Sequence, residues 1–253
     1  MRAFFVLMKH VIFLHGFCEN SSMWNATVSE LGALPVKCHA LDLPGFGSNN
    51  ETVDTIEAMS DFVFSYMDHQ QIPDAIVIGH SMGGYVALEM LAKQSDRING
   101  VGLIHSHAAA DSARKKDNRK KLISFIEKNG QKAFLQKFTK QLVAKQQANS
   151  ALLDQVKNLV KGTGSQAIIS ASKAMIHRAD HTNTLKANIP FLWIIGKEDE
   201  FMPYATTLSQ ANQCPIAEIH VLEDVGHLSM YEVPGKANKI ILRFIEKTDA
   251  SSH

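Results

Sequence analysis

Ser81 sits at the centre of Gly79-His80-Ser81-Met82-Gly83, with a glycine two places to either side. The stretch follows an apolar run, residues 75–78, and opens a helix-period pattern over residues 82–94. Strand, sharp turn and helix in that order hold a serine in a strained backbone conformation, where a Cβ at the flanking glycines would strike neighbouring backbone. The hydroxyl then stands clear at a helix N-terminus, the arrangement of a nucleophile. A Gly-rich turn whose serine merely caps the helix has the same local pattern, so the assignment rests on what else the chain supplies.

A serine hydroxyl needs a base within hydrogen-bond reach, and the base needs a group that orients it. Downstream of Ser81, Asp199 follows the apolar run 191–195, and His227 follows residues 219–222. Both stand just past a strand-like run, so three segments would deliver nucleophile, carboxylate and imidazole to one rim. Glu198, Glu200 and Asp111 are alternative acids, with Asp199 preferred because a short carboxylate at a loop start is easily held rigid. His227 is one of twelve histidines. Among the others, His80 is expected to be structural, and His105 and His107 share a strand face but lack a third ligand at metal spacing. The oxyanion of an acyl-transfer intermediate would be met by the backbone N–H of Met82 and by that of Phe17, in the loop His15-Gly16-Phe17. His15, Gly16 and Trp24 are candidate pocket residues alongside them.

The elements that hold these groups follow from periodicity. Apolar runs at residues 11–14, 37–43, 75–79, 98–105, 190–196 and 218–222 read as strands buried on both faces, as in a parallel sheet. Helix-period segments at 23–34, 53–70, 82–94 and 236–246 alternate with them. This alternation predicts an α/β fold, a doubly wound and mostly parallel sheet with its site at the strand carboxyl ends. One interval breaks the rhythm. The ~80 residues between the fourth and fifth strands far exceed a βα crossover and carry helical patterns alone, at 122–128, 131–142, 152–160 and 165–179. Residues 108–188 are therefore expected to form an inserted helical cap over a core of residues 1–107 and 189–253. The basic run 114–121 reads as a solvated helix face, with attraction of anionic substrates or lipid surfaces as the other reading.

With 253 residues, 45% hydrophobic and 20% charged, the chain has the make-up of one ordinary soluble domain. A net charge of +1 gives no reason to expect nucleic acid or an anionic membrane as partner, and no apolar run nears the ~20 residues a membrane span needs. Residues 3–8 are too short for a signal-peptide core and read as an edge strand, with Met8 as a possible alternative start. Three cysteines, Cys18, Cys38 and Cys214, without a C-x-x-C pair imply reduced thiols and a cytoplasmic setting.

Five stretches together resemble the α/β-hydrolase fold superfamily: residues 13–17 (FLHGF), 41–48 (LDLPGFGS), 79–84 (GHSMGG), 196–199 (GKED) and 225–227 (VGH). They run nearly end to end in matching order. The resemblance implies Ser81 as nucleophile, His227 as base, Asp199 as its orienter, Phe17 and Met82 as the oxyanion hole, and no metal or organic cofactor. Members with aspartate at the nucleophile position include dehalogenases and epoxide hydrolases, and Ser81 argues against those branches. A serine carboxylesterase acting on small or medium acyl esters is the expected activity. A pathway lyase, enol-lactone hydrolase or C–C hydrolase is the alternative within the superfamily. The menaquinone-pathway synthase commonly carries an arginine after the elbow, where this chain has Tyr85. A non-catalytic small-molecule receptor is the remaining reading.

Overall fold

The computed structural model describes residues 8–32 and 34–248. The edge strand expected over residues 3–8 falls outside the described residues, apart from Met8.

Six strands form one parallel sheet in the order β2-β1-β3-β4-β5-β6. They are β1 (Lys9–Leu14), β2 (Val36–Leu41), β3 (Ala75–His80), β4 (Ile98–Ile104), β5 (Phe191–Gly196) and β6 (Ala217–Leu222). The central strands β3 and β5 are buried at every position, which is why they read as unbroken apolar runs rather than alternating ones. The expectation of burial on both faces fails for the edge strands β2, where only His39 and Leu41 are buried, and β6. Only Leu222 is buried there, because an edge strand has a neighbour on one side alone. The chain moves outward in opposite directions from β1 and β3. The carboxyl ends of the central strands therefore face a crevice at the reversal point, where ligands bind in such sheets.

Helices cover both faces. They are α1 (Asn25–Leu31), α2 (Ile56–His69), α3 (Met82–Lys93), α8 (Tyr204–Ala211), the short α9 (Ser229–Glu232) and α10 (Pro234–Lys247). Thr55 caps α2 through its hydroxyl, which accepts the N–H of Ala58. α3 is buried almost throughout, since it runs beneath Ser81 against β3 and β4. Between β4 and β5 come four helices and no strand: α4 (Ala113–Asn129), α5 (Lys132–Gln141), α6 (Ser150–Val160) and α7 (Ser165–His177). α4 packs on α7, and α5 on α6. α4 begins before the apolar pattern at 122–128, and the basic run 114–121 is helical, as its reading as a helix face expected. The apolar pattern stops short of this start because charged residues fill the first turns, which Ser112 caps by accepting the Lys115 N–H. α8 was missed, as its eight residues are too few to display a period. No helix among the described residues is long and apolar enough to cross a membrane.

Candidate active site

The turn from β3 into α3 places Ser81 at φ 50°, ψ −112°, in the left-handed half of the map that a non-glycine residue enters at a cost of ~1–3 kcal/mol. Two backbone contacts force it there. A Cβ on Gly79 would lie 2.3 Å from the Gly83 carbonyl oxygen, and one on Gly83 would lie 2.4 Å from the Leu14 carbonyl oxygen. The Ser81 N–H donates to the Ile104 carbonyl at 2.9 Å, and the Ser106 hydroxyl donates to the Ser81 carbonyl at 2.8 Å. The Ser81 hydroxyl makes no capping bond to α3, which removes the capping-serine reading.

His227 follows β6 in a loop fastened on several sides. Its N–H donates to the Leu142 carbonyl at 3.0 Å. His80 Nε2 lies 2.8 Å from its carbonyl and donates to it. Buried Glu232 accepts the N–H groups of Gly226, Leu228 and, from the segment after α5, Ala144. The imidazole Nδ1 stands 2.7 Å from Asp199 Oδ2. Asp199 Oδ1 in turn accepts the N–H groups of Phe201 and Met202, at 2.8 and 2.9 Å. Burial alone would raise the Asp199 carboxyl; the facing His227 and His105 outweigh it and hold it far below the ordinary range. Asp199 is thus a fixed carboxylate that keeps the His227 proton on Nδ1 and leaves Nε2 free to take another.

His105 takes a part that sequence reading did not give it. It lies at φ 48°, just past β4, with Nδ1 3.3 Å from Asp199 Oδ2, close but not aligned as a hydrogen bond. Its Nε2 accepts the Ser229 N–H at 3.3 Å, so Nδ1 carries the proton and faces the carboxylate. Burial drives its pKa down to about 4, so it stands neutral beside Asp199. The ligand atoms of His105, Asp199 and His227 lie within 4.8 Å of one another, a grouping the Asp199–His227 hydrogen bond already accounts for. His107 points to different neighbours, 3.3 Å from Lys115 Nζ and against the Tyr85 ring, so the two histidines do not form a pair.

A cavity of about 310 Å³ joins these groups, and both Ser81 and His227 line it. Phe17, Phe134, Phe138 and Phe201 form much of its apolar wall, in contact with one another and with His227. Phe17 was expected here and is found here. Its N–H and that of Met82 have no protein acceptor among the described residues, which leaves both free for a ligand.

His15, Gly16 and Trp24 do not line the cavity. His15 is fully buried, with Nδ1 on the Gly16 carbonyl and Nε2 accepting the Leu43 N–H, so it ties two loops together. Trp24 is fully buried against Phe13. Gly16 leaves room for Glu19 and His80, each of which would lie 2.7 Å from an added Cβ. Glu19 itself lines the cavity and pairs with His80 at 2.8 Å, a contact that no spacing rule could reveal across 61 residues. Of the alternative acids, Asp111 is bound to Arg119 and Arg178 and Glu198 is exposed, while Glu200, also exposed, lines the cavity without touching His227 by a hydrogen bond.

Residues 11–238 match the family model described as the alpha/beta hydrolase family. A dihydrolipoyllysine-residue acetyltransferase component of the acetoin cleaving system from Pseudomonas putida is 26% identical over 94% of this chain, yet the match spans only 63% of that protein's length. The pimeloyl-[acyl-carrier protein] methyl ester esterase of Yersinia enterocolitica is 23% identical over 94% of both chains. Among solved structures, a thermophilic esterase from Thermogutta terrifontis, with malate bound, superposes with a TM-score of 0.90 at 26% identity, covering 96% of this chain and 91% of that one.

Proposed function

This chain belongs to the alpha/beta hydrolase family, and from that premise we propose that it is a serine carboxylesterase acting on small or medium acyl esters. One observation carries the reading. An uncapped Ser81 in a strained turn shares a cavity with His227, whose Nδ1 is bonded to a fixed Asp199 carboxylate. Esterases among the relatives and structural neighbours agree with it.

In the proposed reaction His227 Nε2 takes the Ser81 proton as Oγ attacks the ester carbonyl carbon. The oxyanion is received by the N–H groups of Phe17 and Met82, already free of protein acceptors. Collapse of the tetrahedral intermediate breaks the bond to the alcohol oxygen, which leaves with the proton from His227. Water, deprotonated by His227, then attacks the acyl-enzyme and returns the proton to Ser81, so that ester and water give acid and alcohol. No metal or organic cofactor takes part. Residues 108–188 act as a cap whose helices α4 and α5 supply the cavity's roof, and a volume of about 310 Å³ suits a short or medium acyl chain better than a long one. The three unpaired cysteines fit a reducing, cytoplasmic setting.

The test is hydrolysis of p-nitrophenyl esters from acetate to decanoate, with fluorophosphonate labelling in parallel. Turnover is expected to peak at short chains, and Ser81→Ala is expected to lose ~10⁶-fold in kcat together with all labelling. Near-normal turnover in Ser81→Ala would refute the mechanism. Labelled but inactive wild-type protein would refute the esterase reading and leave the nucleophile standing.

A further inference from the structure

The basic run on α4 does not all face solvent. Lys115, Asn118, Arg119 and Leu122 line the cavity at the i, i+3, i+4, i+7 spacing of one helix face, while Arg114, Lys120 and Lys121 are exposed. Two cations thus look into the same space as Ser81 and His227.

Their counter-charges are unequal. Arg119 has one, since it pairs with Asp111, which Arg178 also holds at 3.2 Å. Lys115 has none. Its Nζ is half-buried and donates to the Phe201 carbonyl at 3.1 Å and to His107 Nε2 at 3.3 Å. Both acceptors are neutral. His107 is kept so by burial and then by Arg178 and Lys115, which hold its pKa at about 3. An ammonium has three N–H donors, so one remains unassigned. No carboxylate comes within 4.0 Å of Lys115 among the described residues. The other acids near the cavity are spoken for or distant. Glu19 pairs with His80, Asp199 with His227, and exposed Glu200 forms no ion pair. The cluster of Lys115, Arg119, Arg178 and Asp111 carries three positive charges against one negative. A partly desolvated cation without an anion is unfavourable unless something else supplies the anion.

We infer that the ester cleaved at Ser81 carries a carboxylate, which docks on Lys115 with Arg119 beside it. This deepens the esterase reading and rests on it. The carboxylate takes the place of the counter-ion the protein omits, and the apolar wall of Phe134, Phe138 and Leu122 covers the chain between carboxylate and ester. Hydrolysis of such an ester with one water gives a dicarboxylate and an alcohol if the charge lies on the acyl side, or a monocarboxylate and a hydroxycarboxylate if it lies on the alcohol side, with one proton released in either case.

The experiment compares charged and neutral esters of matched length. Monomethyl glutarate is set against methyl pentanoate for the acyl side, and 3-acetoxypropionate against propyl acetate for the alcohol side. In wild-type protein one charged ester is expected to exceed its neutral partner by ~10–100-fold in kcat/KM. Lys115→Gln is expected to bring that ratio towards one, and the exposed Lys120→Gln to leave it where it was. Equal or greater kcat/KM for both neutral esters in wild-type protein would overturn the inference while leaving a working esterase, and it needs no variant to fold. If no ester is turned over, calorimetry of monomethyl glutarate and 3-acetoxypropionate with Ser81→Ala decides. Binding that Lys115→Gln abolishes sustains the carboxylate site although the esterase reading has failed, and no binding overturns both.

Discussion

Asp199 shows how a single carboxylate can be placed by its donors. Two backbone N–H groups fix one oxygen and two imidazoles face the other, so its orientation is set before any substrate arrives. Asp199→Asn keeps the shape and reverses the hydrogen-bond sense at His227 Nδ1, presenting an N–H where an acceptor is needed. The expected loss in kcat is on the order of 10⁴-fold with little change in fold. Asp111→Asn acts elsewhere, stripping the counter-charge from two guanidiniums, and a large kcat loss there with a mild Asp199→Asn would reverse the acid assignment. Ser81, Asp199 and His227 were legible in the sequence because each ends a strand-like run in a short, recognisable motif. His105, Glu19 and Lys115 were not, for the opposite reason. Their significance lies in partners such as Asp199, His80 and Phe201, which only the folded chain brings near.

At the scale of elements, the elbow and the His227 loop do the positioning by different means. The elbow relies on missing atoms. Gly83→Ala would drive a methyl group into the Leu14 and His15 carbonyls, at 2.4 and 2.8 Å, where backbone on both sides leaves no room to give. A loss of ~10 °C or more in Tm is expected by thermal melting, or failure to fold, and a Tm within a few degrees of wild type would show that the turn is softer than its geometry implies. The His227 loop relies on a buried acceptor. Glu232→Gln leaves one side-chain oxygen to serve three backbone N–H groups and points an amide donor at the rest. The loop should loosen, lowering kcat ~10–100-fold with a smaller effect on KM. A change confined to KM would mean that Glu232 shapes the pocket rather than the base. The six strands were readable because a parallel sheet buries whole runs. The start of α4 has no apolar stripe, so it was legible only as the charged helix face of residues 114–121, and not as a wall of the cavity.

The whole molecule carries an acid sensitivity in its buried histidines. Burial, first of all, holds His39 and His105 at about 4 and His107 at about 3, while an unfolded chain takes up these protons near pH 6.5. Between those limits the unfolded state binds more protons, so stability falls as pH falls. His80 works the other way. Burial would lower it, but Glu19 outweighs burial and raises it, so its contribution is complete below about pH 6.5 and is lost as pH rises through its folded value. Burial lowers His10 and His15 as well, and five groups against one predict a Tm that drops by ~5 °C or more between pH 7 and pH 4.5. A Tm that rises over that interval would show that the Glu19–His80 pair dominates. The order of segments around the fold was readable from sequence, whereas this balance was not, since it depends on how deeply each of twelve histidines is buried and which charges the folded chain sets beside it.

His227 gives its N–H to Leu142, and Glu232 reaches across to Ala144. The helices that shape the cavity and the loop that carries His227 are therefore stitched at one seam. Such a seam limits how this scaffold can be recombined. A graft that exchanged residues 113–177 for those of a relative would import a new pocket but sever the anchor of the imidazole, unless residues 142–144 and 226–232 travelled as one inheritance. Laboratory chimeras should respect that joint unit, and point changes inside the pocket are the gentler path to new substrates.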